Sequence, residues 1–154
     1  MEVDAIMGSK PSNTGDTDSA VAPEGSSNGA ETAFVDARVM HAMALERLNA
    51  SDIRDAAEKA WCATKRATDG LIIARTGQEP GKSPDTTRML KQLAVDDYAI
   101  RQLRPLYSLA RDALHGDCFY SGICDPLEET LRLIRETSDY IDKAERLAAA
   151  GASV

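Results

Sequence analysis

The chain has 154 residues, of which 43% are apolar, 5% aromatic and 28% charged, and a net charge of −7. That length carries one domain and is too short for two well-packed ones, and an acidic chain is a poor non-specific binder of nucleic acid or anionic membrane. A core so short of aromatics must rest on Leu, Ile, Ala and Met, which suits helix–helix packing and argues against a β-sandwich.

The charge is uneven. Residues 1–30 set Glu2, Asp4, Asp16, Asp18 and Glu24 against Lys10 alone. Residues 51–111 hold eleven basic and eight acidic side chains, whereas residues 112–154 hold four basic and nine acidic ones. The odd set Cys62, Cys118 and Cys124 has no framework spacing and fits a reducing compartment. No apolar run reaches the length of a membrane span and no secretory signal is visible, so the expected address is the cytoplasm, with no membrane partner.

Residues 8–30 are rich in Gly, Ser, Thr, Asn, Asp and Pro. They cannot bury enough surface to offset the entropy of ordering, so residues 1–30 are expected to be a disordered tail and 31–150 the folded domain. Phe34, Val35, Val39, Met40, Met43, Leu45 and Leu48 predict a helix over 32–49. Ser51 is the expected cap of a second helix over 52–75, with Asp52 and Asp55 in its first turn and Gly77 as its stop. Trp61 is expected to anchor the core.

Pro80, Gly81 and Pro84 mark residues 78–84 as a loop, after which Asp85 is the candidate cap of a short helix carrying Met89, Leu90 and Leu93. Asp96 and Asp97 open the next helix, with Ile100, Leu103, Tyr107, Ala110 and Leu114 on one face. Pro105 lies inside that pattern and predicts a kink or restart. Ser121-Gly122 breaks it, and Asp125-Pro126 starts one last helix with a seam of Leu127, Leu131, Ile134, Ser138, Ile141, Glu145 and Ala148. The fold class is therefore all-α, a bundle of four to five helices.

Chemistry concentrates in residues 111–120. Arg111 and His115, four apart, share a helix face, and the pair suits RNA cleavage, with His115 moving a proton and Arg111 holding the scissile phosphate. The structural alternative is a His that complements a helix C-terminus and an Arg paired with a carboxylate. His115, Asp117, Cys118 and Cys124 match no standard zinc spacing, so no metal or other cofactor is expected and the two cysteines read as small core residues. Gly77 and Gly81 lack a Lys-Ser/Thr ending at the spacing of a phosphate loop. Lys59, Lys65, Arg66, Arg75, Arg101 and Arg104 form either a solvated helix face with local ion pairs or a basic surface for RNA, for which Lys65, Arg66 and Arg104 are the candidate contacts.

Two segments, Ala56-Ala57-Glu58-Lys59-Ala60-Trp61-Cys62-Ala63-Thr64-Lys65-Arg66-Ala67 and Ala110-Arg111-Asp112-Ala113-Leu114-His115-Gly116-Asp117-Cys118-Phe119-Tyr120, together resemble the HEPN superfamily, and within it the small archaeal helical proteins of the PaREP type. The resemblance spans roughly residues 33–148. It implies an up-and-down helical bundle, commonly a homodimer, that acts in RNA cleavage, toxin–antitoxin pairs or defence, or binds a nucleotide or a partner protein without catalysis. The family's nuclease motif is an Arg, often followed by a polar residue, then a His after four to six residues. Arg111, Asp112 and His115 are the candidate catalytic residues on this pattern, with only three residues between Arg111 and His115. A degenerate ribonuclease or a non-catalytic interaction module is the expected outcome of that short spacing.

Overall fold

The computed structural model describes the backbone of residues 22–152, all of it helix or short connection, with no strand among the described residues. The helices are α1 (Ala22–Asn49), α2 (Ile53–Thr76), α3 (Ser83–Asp96), α4 (Tyr98–Leu109), a π-helical segment (Ala110–Tyr120) that continues α4, α5 (Leu127–Arg135) and α6 (Thr137–Ala152). The expected bundle is present. The tail expected over 1–30 falls outside the described residues up to residue 21, and α1 already runs through 22–30. Ala30 and Ala33 are buried against Ile73 of α2.

Local signals explain most helix ends. Asp52, not Ser51, caps α2: its carboxylate accepts the Asp55 N–H at 3.2 Å. Ser51 is unavailable because it takes φ 66°, the left-handed turn that reverses the chain after α1. Gly77 ends α2 at φ 78°, its N–H bonded to the Ile73 carbonyl at 2.8 Å. Asp97 caps α4 through the Ile100 N–H at 3.2 Å. Asp85 does not cap α3. That helix starts at Ser83, Lys82 holds the cap position, and Asp85 lies within the first turn.

Two expectations about helix breaks are corrected. The chain does not restart at Pro105, which sits within α4, and the hydrogen-bond ladder widens later, at Ala110. The expected single last helix is two helices. Pro126, at the end of a cis Asp125–Pro126 bond, occupies the cap of α5, and the helix breaks at Glu136. His41 of α1 donates from Nε2 to the Ile134 carbonyl beside that break, at 2.9 Å. The seam consequently shifts to Thr130, Ile134, Thr137, Ile141, Ala144 and Ala148, while Leu127 is exposed.

The core is built on α2, which packs against α1, α3, the π segment, α5 and α6. Ala33, Ala37 and Ala44 of α1 meet a face of α2 that includes Ala56, Ala60, Ala63 and Ala67, all fully buried. Side chains this small let two helix backbones approach closely. Gly70 extends that seam: a Cβ there would lie 2.9 Å from the Phe34 ring. Trp61 and Tyr107 fill the opposite side, ring centroids 5.4 Å apart. Asp69, buried on α2, accepts hydrogen bonds from Thr86 at 2.7 Å and Lys65 at 2.9 Å and so ties α3 to α2.

Gly70→Ala is expected to destabilise the protein by about 1–3 kcal/mol, the usual cost of overpacking a tight core. Chemical denaturation of Gly70→Ala, Phe34→Leu and the double variant measures this. The double variant should lose less than the two single losses added, because Leu removes the ring atoms that the new methyl meets.

Candidate functional site

The site is assembled where one face of α2 meets the π segment. Arg54, Glu58 and Trp61 recur on that face at four- and three-residue steps. Arg54 donates to the Phe119 carbonyl at 2.6 and 3.2 Å and to the Tyr120 carbonyl at 3.4 Å. A cation there satisfies carbonyls that a helix end leaves without partners. Gly122, at φ 73°, carries the chain past the Arg54 guanidinium, which a Cβ at that position would touch at 3.4 Å. A disulfide between Cys118 and Cys124 closes the following loop. Cys118 is buried as expected, but as half of a bridge rather than as a free thiol.

His115 points to Glu58. Its Nδ1 lies 2.7 Å from Glu58 Oε1, 57 residues away in the chain. A carboxylate at Nδ1 makes that nitrogen the donor and leaves Nε2 as the acceptor, a ring oriented for proton transfer or for binding. Nε2 has no hydrogen-bond partner among the described residues, and the side chain is 39% exposed. Burial pushes the Glu58 carboxyl up, and the hydrogen bond from His115 pulls in the opposite direction. The His115 ring is surrounded by aromatic rings: Tyr120 at 5.8 Å and Phe119 at 6.2 Å, both near parallel, and Trp61 at 6.0 Å. Tyr120 is 75% exposed.

Arg111 and His115 each take a different partner. Arg111 pairs through Nε with Asp112 at 3.2 Å, and it lines an open groove with Arg88 and Lys91 of α3. No hydrogen bond or ion pair joins it to His115 among the described residues. Asp112 is exposed and has Arg111 as its partner. Of the proposed RNA contacts, two are engaged by carboxylates. Lys65 binds Asp69 and the Gly81 carbonyl, and Arg66 bridges Asp36, Asp69 and Glu79. Arg104 is half-buried on α4, away from both of them in the chain, without an ion-pair partner among the described residues.

Other chemistries find little support. Cys62 is half-buried, and burial together with the nearby Glu58 charge pushes its thiol up to about 11, the opposite of what a thiolate nucleophile needs. Among the described residues no group of three His, Cys, Asp or Glu side chains is placed to hold a metal ion. No helix among them is long and apolar enough to cross a membrane.

Glu58 is the residue that reading the sequence for chemistry passed over. It stood inside the first segment quoted for the family resemblance, but a partner 57 residues away has no local signature. Phe119 and Tyr120 were likewise visible as residues but not as a ring cluster. The chain matches no family model, and no match is found among curated proteins or solved structures.

A carboxyl whose pKa is raised by folding binds its proton more tightly in the folded state. The stability it contributes is present at acidic pH and is lost as pH rises through the folded pKa. Glu58→Gln keeps the shape without the charge. Denaturation from about pH 4 to about pH 7 should therefore show Glu58→Gln gaining stability relative to the wild type as pH rises. A constant difference across that range would remove burial as the dominant influence on Glu58.

Proposed function

We propose that this is a HEPN-like helical domain that binds a nucleobase-containing ligand, RNA or a nucleotide, at the His115 ring cluster, without efficient cleavage. The observation that carries it is the exposed Tyr120 ring lying near parallel to His115, with His115 held by Glu58. Stacked, partly exposed rings on a fixed backbone are a platform on which a base adds one more layer. The Arg54 clamp and the Cys118–Cys124 bridge hold that backbone. Two features stand against cleavage: Arg111 faces a groove instead of His115, and Lys65 and Arg66 are engaged by carboxylates. A toxin–antitoxin or defence role is what the family resemblance adds to this reading.

Fluorescence anisotropy with a labelled single-stranded RNA tests the platform. Stacking on an aromatic ring contributes about 1–3 kcal/mol per base, so Tyr120→Ala should weaken binding by roughly 5- to 150-fold. Equal affinity of the two proteins would sink the proposal. An RNase assay tests the second half: the wild type should cleave no faster than His115→Ala, and His115-dependent cleavage would overturn the non-catalytic reading.

A second reading, an interaction module that forms a homodimer, is favoured by α1. Val35, Val39 and Met43 lie exposed on one face of that helix at four-residue steps, Val35 at 61%. Exposed apolar side chains in register are what a second copy would cover. Light scattering after size exclusion should then give a dimer for the wild type and a monomer for Val35→Asp/Val39→Asp. The proposed cytoplasmic address is tested by the cysteines. In a reducing compartment Cys118 and Cys124 are recovered as free thiols by rapid alkylation and mass analysis, whereas recovery of the bridge places the chain in an oxidising one.

A further inference from the structure

We propose that the groove between α3 and the π segment binds the phosphate chain of a small molecule, held by Arg88, Lys91 and Arg111. The groove has a volume of about 640 Å³, within the range of roughly 300–1,000 Å³ that small-molecule sites occupy. Its walls carry these three cations and no carboxylate, and Ser83 and Thr87 add hydroxyls. Most of its lining surface is apolar, with Pro84 and Val95 among the lining residues.

Three further features favour an anion there. Ser83 and Pro84, the first residues of α3, line the groove, so the positive end of the helix borders it and is shared with the Asp85 carboxylate of the first turn. Lys82, at the cap position, is exposed and has no ion-pair partner among the described residues, which adds a fourth cation at the same end. The Tyr107 hydroxyl holds Thr87 Oγ1 at 2.9 Å, and Thr87 and Arg111 line the same groove.

Arg88 and Arg111 now hold Asp85 and Asp112 at 3.0 and 3.2 Å. Both pairs are solvent-exposed and link near neighbours in the chain, the weakest kind of ion pair, so a phosphate that accepts from both guanidinium groups displaces them. Lys91 is exposed and has no such pair among the described residues. A phosphate group carries about −1.5 to −2 charges at neutral pH, so three cations suit a chain of two or three phosphates. The net charge of −7 repels a long polyanion, which favours a small ligand over an RNA backbone.

The groove stands on its own geometry. It rests on the base-stacking proposal only if base and phosphate belong to one molecule. Isothermal titration of the full chain with tripolyphosphate, which has no base, separates the two. The wild type should bind it saturably. Arg88→Gln/Lys91→Gln should weaken binding at least about tenfold, while Tyr120→Ala leaves it unchanged. Both altered groups of the double variant are exposed and lie outside the core, and circular dichroism confirms that each variant is folded. No saturable binding of tripolyphosphate, equal affinity in the double variant, or binding of single-stranded RNA alone would each overturn the proposal. If tripolyphosphate binds as expected and Tyr120→Ala leaves RNA affinity unchanged, the groove stands and the stacking platform falls.

Discussion

The close approach of α1 to α2 is the constraint on which the remaining packing depends. Fully buried alanines line both helices, and Gly70 admits the Phe34 ring to within contact of the α2 backbone. Small side chains bring little apolar area each, so such a seam stabilises through the number and closeness of its contacts and through backbone proximity. With one side of α2 sealed in this way, its other faces remain for the longer side chains. Trp61, Leu71 and Ile72 then meet the later helices, and Arg54 and Glu58 meet the π segment. The site thus uses a face of the most heavily packed helix, which fixes its positions better than a loop would.

Two acidic side chains of α2, eleven residues apart, show how environment divides structure from chemistry. Burial pushes both carboxyls up. Asp69 is surrounded by Lys65, Arg66 and Thr86, which account for its hydrogen-bonding capacity and tie α2 to α3. Nothing of that set is left over for a ligand. Among the described residues Glu58 has His115 alone as its hydrogen-bond partner, and His115 keeps its second nitrogen unengaged at a half-exposed position. A half-buried carboxylate with one accessible imidazole partner is the arrangement found where proton position matters. A fully saturated one is cross-linking.

Features written into neighbouring residues were legible in the sequence. Asp97 caps α4 and Gly77 ends α2 because both rest on hydrogen bonds within a few residues, and the alanine-, leucine- and isoleucine-rich pattern fixed the all-helical class. The cap of α2 was misplaced by one position because Ser51 and Asp52 are both good capping residues, and only the tertiary turn at Ser51 decides between them. The break at Glu136 has neither Gly nor Pro to announce it, whereas Pro105 announces a break that α4 does not make. The remaining misses are long-range. The bond from Glu58 to His115 spans 57 residues and the clamp of Arg54 on Phe119 spans 65, so helical periodicity cannot see either. The Cys118–Cys124 bridge is closer in sequence, but six residues of spacing carries no signature that separates a bridge from two buried thiols.

The π segment links these observations to function. Eleven residues with widened hydrogen bonding are unusual, since such turns occur mostly as single bulges and often at functional sites. Here the segment is held at its far end from two sides, by Arg54 on its last carbonyls and by the bridge from Cys118. Phe119 and Tyr120 stand at those restraints and His115 one turn before them, and at the start of the segment Arg111 lines the groove beside α3. The helix therefore presents its cation and its rings to different neighbours. A nuclease needs both at one phosphate, whereas a binding site for an extended ligand works best with them apart, one end of the ligand stacked on rings and the other set in a basic groove.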